Sequence, residues 1–323
     1  MLSSRAEIER IRNSLIMTAE VLAAQLVIDV AQGSPIKLAH LAIRLPAVVT
    51  RLRRLITACE AMLERITATE NRLLAGMALD IGITTGLILN PPVRISTAIE
   101  VGRTKAPANL TSIAERMKML DNRGSPTIRI EKYANAAIVF VPGTRTGSLG
   151  WTSNPMDMKT NLQEISGRVS NVEIGLEKAL AAAGVKPTDR VMLVGHSQGG
   201  LVAISAAERS KTGQFPFLVE KVVTFGSPVA SHASKNLPAV LAVENSYDLV
   251  PKLDGKSNPK ASNWQTYQGS VEGDPITAHL MESYSQISSE LDKSGAPREF
   301  SNFAEGAATV TYFELSQGPD MRG

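Results

Sequence analysis

The stretch "VMLVGHSQGG" (191–200) holds Ser197 between Gly195 and Gly199, directly after an apolar run. A serine hydroxyl attacks a carbonyl when a base takes its proton and an acid orients that base. The chain has four histidines to supply the base: His40, His196, His232 and His279. His279 lies downstream in "ITAHLMESY" (276–284). His196 adjoins the serine, so its side chain leaves the turn in another direction; packing or lining the substrate pocket is its expected role. His232, in "PVASHAS", could line the site, and His40 belongs to the N-terminal part. Two acids compete. Asp248 sits in "VENSYDLVPKL" (243–253), close to a strand end, and Asp254 in the loop beyond it. Asp248 and His279 are preferred, which makes the expected chemistry acyl transfer through a serine ester.

Such a site works only if the surrounding elements aim it. "RVMLVG" (190–195) is continuously apolar and predicts a buried strand, and "GGLVAISAAERS" predicts a helix. Ser197 therefore falls at a strand-to-helix junction, where open α/β sheets place their chemistry. The flanking glycines permit a sharp turn that exposes Oγ and aims the Gln198 backbone N–H into the pocket as an oxyanion donor. "AAIVFVPG" (136–143), "KVVTFGSP" (221–228), "AVLAVENS" (239–246), "NWQTYQG" (263–269) and "ATVTYFEL" (308–315) predict further strands. "TIRIEKY" (127–133) alternates like a half-exposed edge strand, and "ANA" after it suits a hairpin. Helices are predicted between these strands, at "NLTSIAERMKML", "MKTNLQEISGRVSNVEIGLEKALAAAG" and "HLMESYSQISSEL". The expected fold class is α/β, with a mostly parallel sheet covered by helices on both faces.

Upstream the pattern is different. Ile8, Ile11, Leu15 and Leu22 recur at helical spacing, and so do Leu52, Leu55, Ile56, Cys59, Met62, Leu63 and Ile66. An all-α region over 1–108 is expected to precede a catalytic domain over 109–323. "ILNPPVRIS" (88–96) and "GRTKAPANL" (102–110) read as the linker. The helical region is expected to serve as a cap, a support or a binding surface for a protein partner. "LLAGMALDIGITTGLIL" (73–89) is the nearest approach to a membrane span, but Asp80 and three glycines interrupt it, so a buried helix or loop is expected there, and any membrane contact is expected to be without spanning.

Composition removes other classes. Thirty-four basic against 31 acidic side chains, scattered along the chain, argue against nucleic acid as a partner. The single cysteine, Cys59, allows no intrachain disulfide, and no Cys/His cluster has metal-ligand spacing. No metal and no cofactor are expected. The start of the chain lacks the features of a Sec signal, so the expected location is cytoplasmic, or exported by a route without a cleavable Sec signal. No tryptophan occurs in residues 1–150, so a Trp-x-Gly secretion hairpin is absent there.

"VGHSQGG" resembles the nucleophile elbow of the α/β-hydrolase superfamily, in its lipase- and esterase-like branch. "TFGSPV" (224–229), "DLVP" (248–251) and the "TAH" segment (277–279) are similar to the segments that follow it there, in the order serine, acid, histidine. "VFVPGT" (139–144) resembles the first strand and loop of lipases, which implies a second oxyanion N–H at Thr144. The resemblance covers about residues 125–323 and implies carboxylic-ester hydrolysis of a small-molecule or lipid ester. Trp151 and Met156, with Met158, are expected to wall the pocket from a loop over 145–161 that could act as a lid. Other activities on the same machinery stay open, namely a peptidase, a thioesterase or a phospholipase-type secreted effector, as does a silent fold used for binding.

Overall fold

The computed structural model describes residues 92–146, 152–232, 237–295 and 297–318, together with scattered positions between 8 and 63. The chain divides into two compact units, Met1–Leu73 and Leu74–Gly323. Every described position of the first unit is helical; its remaining residues and the apolar stretch 73–89 lie outside the described residues. No helix among the described residues is long and apolar enough to cross a membrane.

The second unit is built on one eight-stranded sheet. In chain order its elements are β1 (Val93–Lys105), α1 (Leu110–Asp121), β2 (Thr127–Lys132), β3 (Ala136–Val141), α2 (Met158–Ile165), α3 (Asn171–Ala182), β4 (Arg190–His196), α4 (Gln198–Thr212), β5 (Leu218–Phe225), β6 (Ala239–Asn245), β7 (Trp264–Gly269), α5 (Pro275–His279), α6 (Met281–Ser294), α7 (Arg298–Ser301) and β8 (Ala307–Gln317). The strand order is β1-β8-β2-β3-β4-β5-β6-β7. From β3 to β7 all pairs are parallel; β1, β8, β2 and β3 pair antiparallel. The parallel strands are apolar because both faces are covered. One face packs Val139, Val141, Leu193 and Val222 against α3 and α4 residues such as Leu176 and Val202. The other packs Phe140, Val194 and Val223 with Ile113, Met117, Tyr284 and Ile287 from α1 and α6.

Two expectations need correction. "VRIS" and "GRTK" do not belong to a linker: they are the two ends of β1, which pairs with β8 from Val93–Gln317 to Lys105–Ala307. The proline-rich composition lies just before this strand and hid it. Strand β2 is not a half-exposed edge either, since β3 and β8 flank it and Arg129 and Glu131 are buried. The buried charges are matched. Arg129 Nε donates to Glu131 Oε1 at 2.8 Å, Arg116 ion-pairs with Glu131 Oε2, and Tyr133 donates its hydroxyl to the same oxygen at 2.9 Å. Alternation reports chemical type, and here a paired polar face is buried as fully as an apolar one. The single long helix expected between β3 and β4 is two helices, α2 and α3, separated at "SGRVS", where Gly167 has a φ of 70°. Helix α1 starts where Asn109 and Ser112 cap each other reciprocally.

Candidate active site

Strand β4 ends at His196 and helix α4 starts at Gln198, so Ser197 alone makes the turn. Its φ is 53° and its ψ −120°, the one positive φ at a non-glycine among the described residues. Such a conformation costs about 1–3 kcal/mol and persists only where the surroundings dictate it. They do so here. Ser197 N–H donates to the Phe225 carbonyl at 3.0 Å, and Gly200 N–H to the Ser197 carbonyl at 3.0 Å. A side chain at Gly195 would meet the Gly199 backbone at 2.3 Å, and one at Gly199 would meet the Val141 carbonyl oxygen at 1.9 Å. The two glycines are thus required by the close crossing of β3, β4 and α4. Gln198 is the first helical residue, so its N–H has no acceptor within the helix. The loop after β3 runs beside it: a Cβ on Gly143 would lie 3.2 Å from Ser197 Cβ.

His279 closes the short helix α5 and meets the acid loop that follows β6. Its Nδ1 lies 2.7 Å from Asp248 Oδ2, and Asp248 is fully buried. The Asp248 carboxylate is held from three sides. Oδ1 accepts from Val250 N–H at 2.8 Å, and Oδ2 accepts from the Tyr284 hydroxyl at 2.5 Å as well as facing His279. Burial, then the neighbouring Asp248 charge, push the Tyr284 hydroxyl well above the usual phenol range, so it stays a donor. Gly226 of "TFGSP" has a φ of 59°, and a Cβ there would sit 2.6 Å from the Tyr284 hydroxyl and 2.9 Å from Asp248 Oδ2. That glycine makes room for the acid.

The competing residues are engaged elsewhere. Asp254 accepts from Ser231 N–H at 2.8 Å and Lys256 N–H at 3.2 Å. His232 Nδ1 faces Glu208 at 3.3 Å. His40 and Trp151 lie outside the described residues. His196 is buried beside the site, with its ring centroid 4.8 Å from that of His279. Met156 belongs to the hydrophobic core and is fully buried. Its backbone is what serves the site region, because its carbonyl accepts from Arg145 N–H at 2.8 Å and from Thr146 N–H at 3.3 Å. No group of three or more metal-ligating side chains occurs among the described residues.

Several residues were invisible to sequence reasoning. Gln198, singled out for its backbone, also acts through its side chain: Nε2 donates to the Asp157 carbonyl at 2.7 Å and to Asn161 Oδ1 at 3.0 Å. Asn161 Nδ2 in turn donates to Thr144 Oγ1 at 3.1 Å. The two residues expected to supply oxyanion donors are therefore joined through Asn161, on α2. Asp121, at the end of α1, faces His196 Nδ1 with Oδ2 at 2.7 Å and Arg145 Nη2 with Oδ1 at 3.1 Å. Burial would raise the Asp121 carboxyl, but the charge of His196 and contact with it, then Arg145 and the Gly143 N–H, outweigh it and hold it at about 2. Tyr284, Asn161 and Asp121 carry no local motif that could have marked them.

A mostly parallel sheet with helices on both faces and a strained serine at the β4–α4 turn define the α/β-hydrolase fold, here with an acid on the loop after β6 and a histidine at the end of α5. Residues 171–287, from α3 into α6, match the PGAP1-like alpha/beta domain family. Among solved structures, the chain is similar to a Trichoderma reesei cutinase in complex with a C11Y4 phosphonate inhibitor. The identity is 14%, over 69% of this chain and 98% of that chain, with a TM-score of 0.27. No curated protein matches the chain.

Proposed function

We propose that the protein is a serine hydrolase that cleaves carboxylic esters, lipid esters among them, through an acyl-enzyme on Ser197. The observation that carries this reading is the conjunction of a strained Ser197 with a His279 that is paired to the buried Asp248 and lies 4.8 Å, ring to ring, from His196, the residue before the serine. His279 takes the proton from Ser197 Oγ as that oxygen attacks the ester carbonyl. Asp248 faces Nδ1, so it fixes the tautomer that leaves Nε2 free to accept, and it stabilises the imidazolium that forms. Backbone N–H groups of Gln198 and Thr144 receive the oxyanion, each such donor contributing about 3 kcal/mol to the transition state. The leaving alcohol takes its proton from His279. Water then enters, gives a proton to the same nitrogen as its oxygen attacks the acyl carbon, and that proton passes to Ser197 Oγ as the acid is released.

A fluorophosphonate probe tests this directly. Wild-type protein should be labelled at Ser197, and Ser197→Ala should lose both the label and roughly three or more orders of magnitude of kcat on p-nitrophenyl esters. Undiminished hydrolysis by Ser197→Ala removes the proposal. A series of acyl-chain lengths then reports which ester is preferred.

A further inference from the structure

We infer that His196 is a positioning residue for His279, held charged by Asp121; the inference rests on the serine-hydrolase reading above. His196 Nε2 lies 2.9 Å from the backbone carbonyl oxygen of His279. A carbonyl only accepts, so Nε2 carries a hydrogen. Nδ1 lies 2.7 Å from Asp121 Oδ2, an ion-pair contact without hydrogen-bond geometry. An anion this close to the ring is attracted by an imidazolium whatever its angle and by a neutral ring is not, so the pairing assigns Nδ1 a hydrogen too. An imidazole with both hydrogens is a cation. Asp121 is itself anchored by Arg145 and by the Gly143 N–H at 3.4 Å, both on the loop that bears Thr144.

Two consequences follow for His279. The first is mechanical. Helix α5 is only five residues long and ends at His279, whose carbonyl is thus a helix-end acceptor lacking an intrahelical partner. His196 supplies that partner from the end of β4, one residue before Ser197. The second is electrostatic. The groups facing His196 are Asp121 from α1, whose other oxygen holds Arg145, His279 from α5 and the Tyr284 ring from α6 at 6.0 Å; Asp248 pairs with His279 Nδ1. A fixed cation 4.8 Å from the His279 ring disfavours a second positive charge there. It keeps His279 in the neutral form that accepts the Ser197 proton. Removing that cation makes His279 easier to protonate, so the acid limb of the rate profile moves to higher pH.

The test compares the pH dependence of kcat/KM and of fluorophosphonate labelling in wild type, His196→Gln and His196→Ala. Glutamine retains an N–H for the His279 carbonyl and carries no charge. His196→Gln should shift the acid limb upward by about half to one pH unit, with kcat on the plateau within about threefold of wild type. His196→Ala should show the same shift and a further loss of about tenfold in kcat, with KM little changed. His232→Gln, which removes the histidine that faces Glu208, should leave the limb in place. An unmoved acid limb in His196→Gln, with Ser197 still labelled, overturns the inference alone. Absence of Ser197 labelling in the wild type overturns the hydrolase reading and this inference with it. Should the variants fail to fold, 15N spectra of the wild-type imidazoles on the active plateau decide: hydrogens on both His196 nitrogens support the inference, and a ring with one hydrogen ends it.

Discussion

Tyr284 donates its hydroxyl to Asp248 Oδ2, the same oxygen that faces His279 Nδ1, at 2.5 Å. One carboxylate oxygen thus serves both a residue proposed to be catalytic and a buried structural donor. Asp248→Asn should lower kcat by about four orders of magnitude, because an amide in place of the carboxylate can stabilise the wrong imidazole tautomer. Tyr284→Phe should lower kcat only about three- to tenfold. It removes a hydrogen bond to a charged group but leaves the His279 contact and the Val250 N–H in place. Steady-state kinetics on a p-nitrophenyl ester check both; equal losses in the two variants would contradict the assignment of Asp248.

Asn161 joins the Gln198 side chain to Thr144, and with it the two segments proposed to form the oxyanion hole. Asn161→Leu should lower kcat about 10- to 100-fold while KM stays within about threefold, since the interaction it supports is made in the transition state. Gln198 keeps its bond to the Asp157 carbonyl in that variant, so the fold should survive. Circular dichroism and a kcat–KM comparison check the two halves of this expectation. A rise in KM with kcat unchanged would move Asn161 from transition-state support to substrate binding.

Glu164, on α2, and Glu173, on α3, form a buried acidic pair behind the elbow helix. Glu164 is fully buried, and neither of its carboxyl oxygens has a hydrogen-bond partner among the described residues. Burial lifts Glu164 to about 7 from the ordinary 4.5, and burial together with the Glu164 charge lifts Glu173 to about 8, against the opposing pull of Arg209 at 3.2 Å. Both shifts are upward, so the folded chain holds protons that the unfolded chain has released above about 4.5. The stability they contribute is present in acid and is lost as pH rises through about 7 to 8. Thermal melting from about pH 5 to pH 8.5 should show a falling Tm, and Glu164→Gln should flatten the fall and raise Tm at the alkaline end. A Tm that rises over this interval in the wild type would refute the direction.

Strand β1 covers the outer edge of β8 over nearly its whole length. A fragment starting at Leu74 keeps that pairing, whereas one starting at Asn109 removes it and opens the backbone edge of β8, a template for association between chains. The longer fragment should be soluble and monomeric, and the shorter one should aggregate. Size-exclusion chromatography separates the outcomes. A soluble, active fragment from Asn109 would show that β1 is dispensable.

The sequence by itself determined the parallel strands, the helices between them and the junction at Ser197. Local order sets the strands and the junction: a short apolar run bounded by turn residues fits a strand buried on both faces, and glycines at 195 and 199 are what a close strand–helix crossing demands. The tertiary structure decided which groups meet. Position in the chain favours Asp248 over Asp254, but the packing of α6 under the acid loop is what gives Asp248 its burial and the Tyr284 donor, while Asp254 accepts from Ser231 and Lys256. The same holds for Arg129 and Glu131, which read as a solvated face until Arg116 and Tyr133 close over them, and for β1, whose partner β8 lies at the other end of the chain. Periodicity along a chain records which face of an element is apolar. It carries no information about which distant side chain will fill a carboxylate's second lone pair, and that choice is where the site was made.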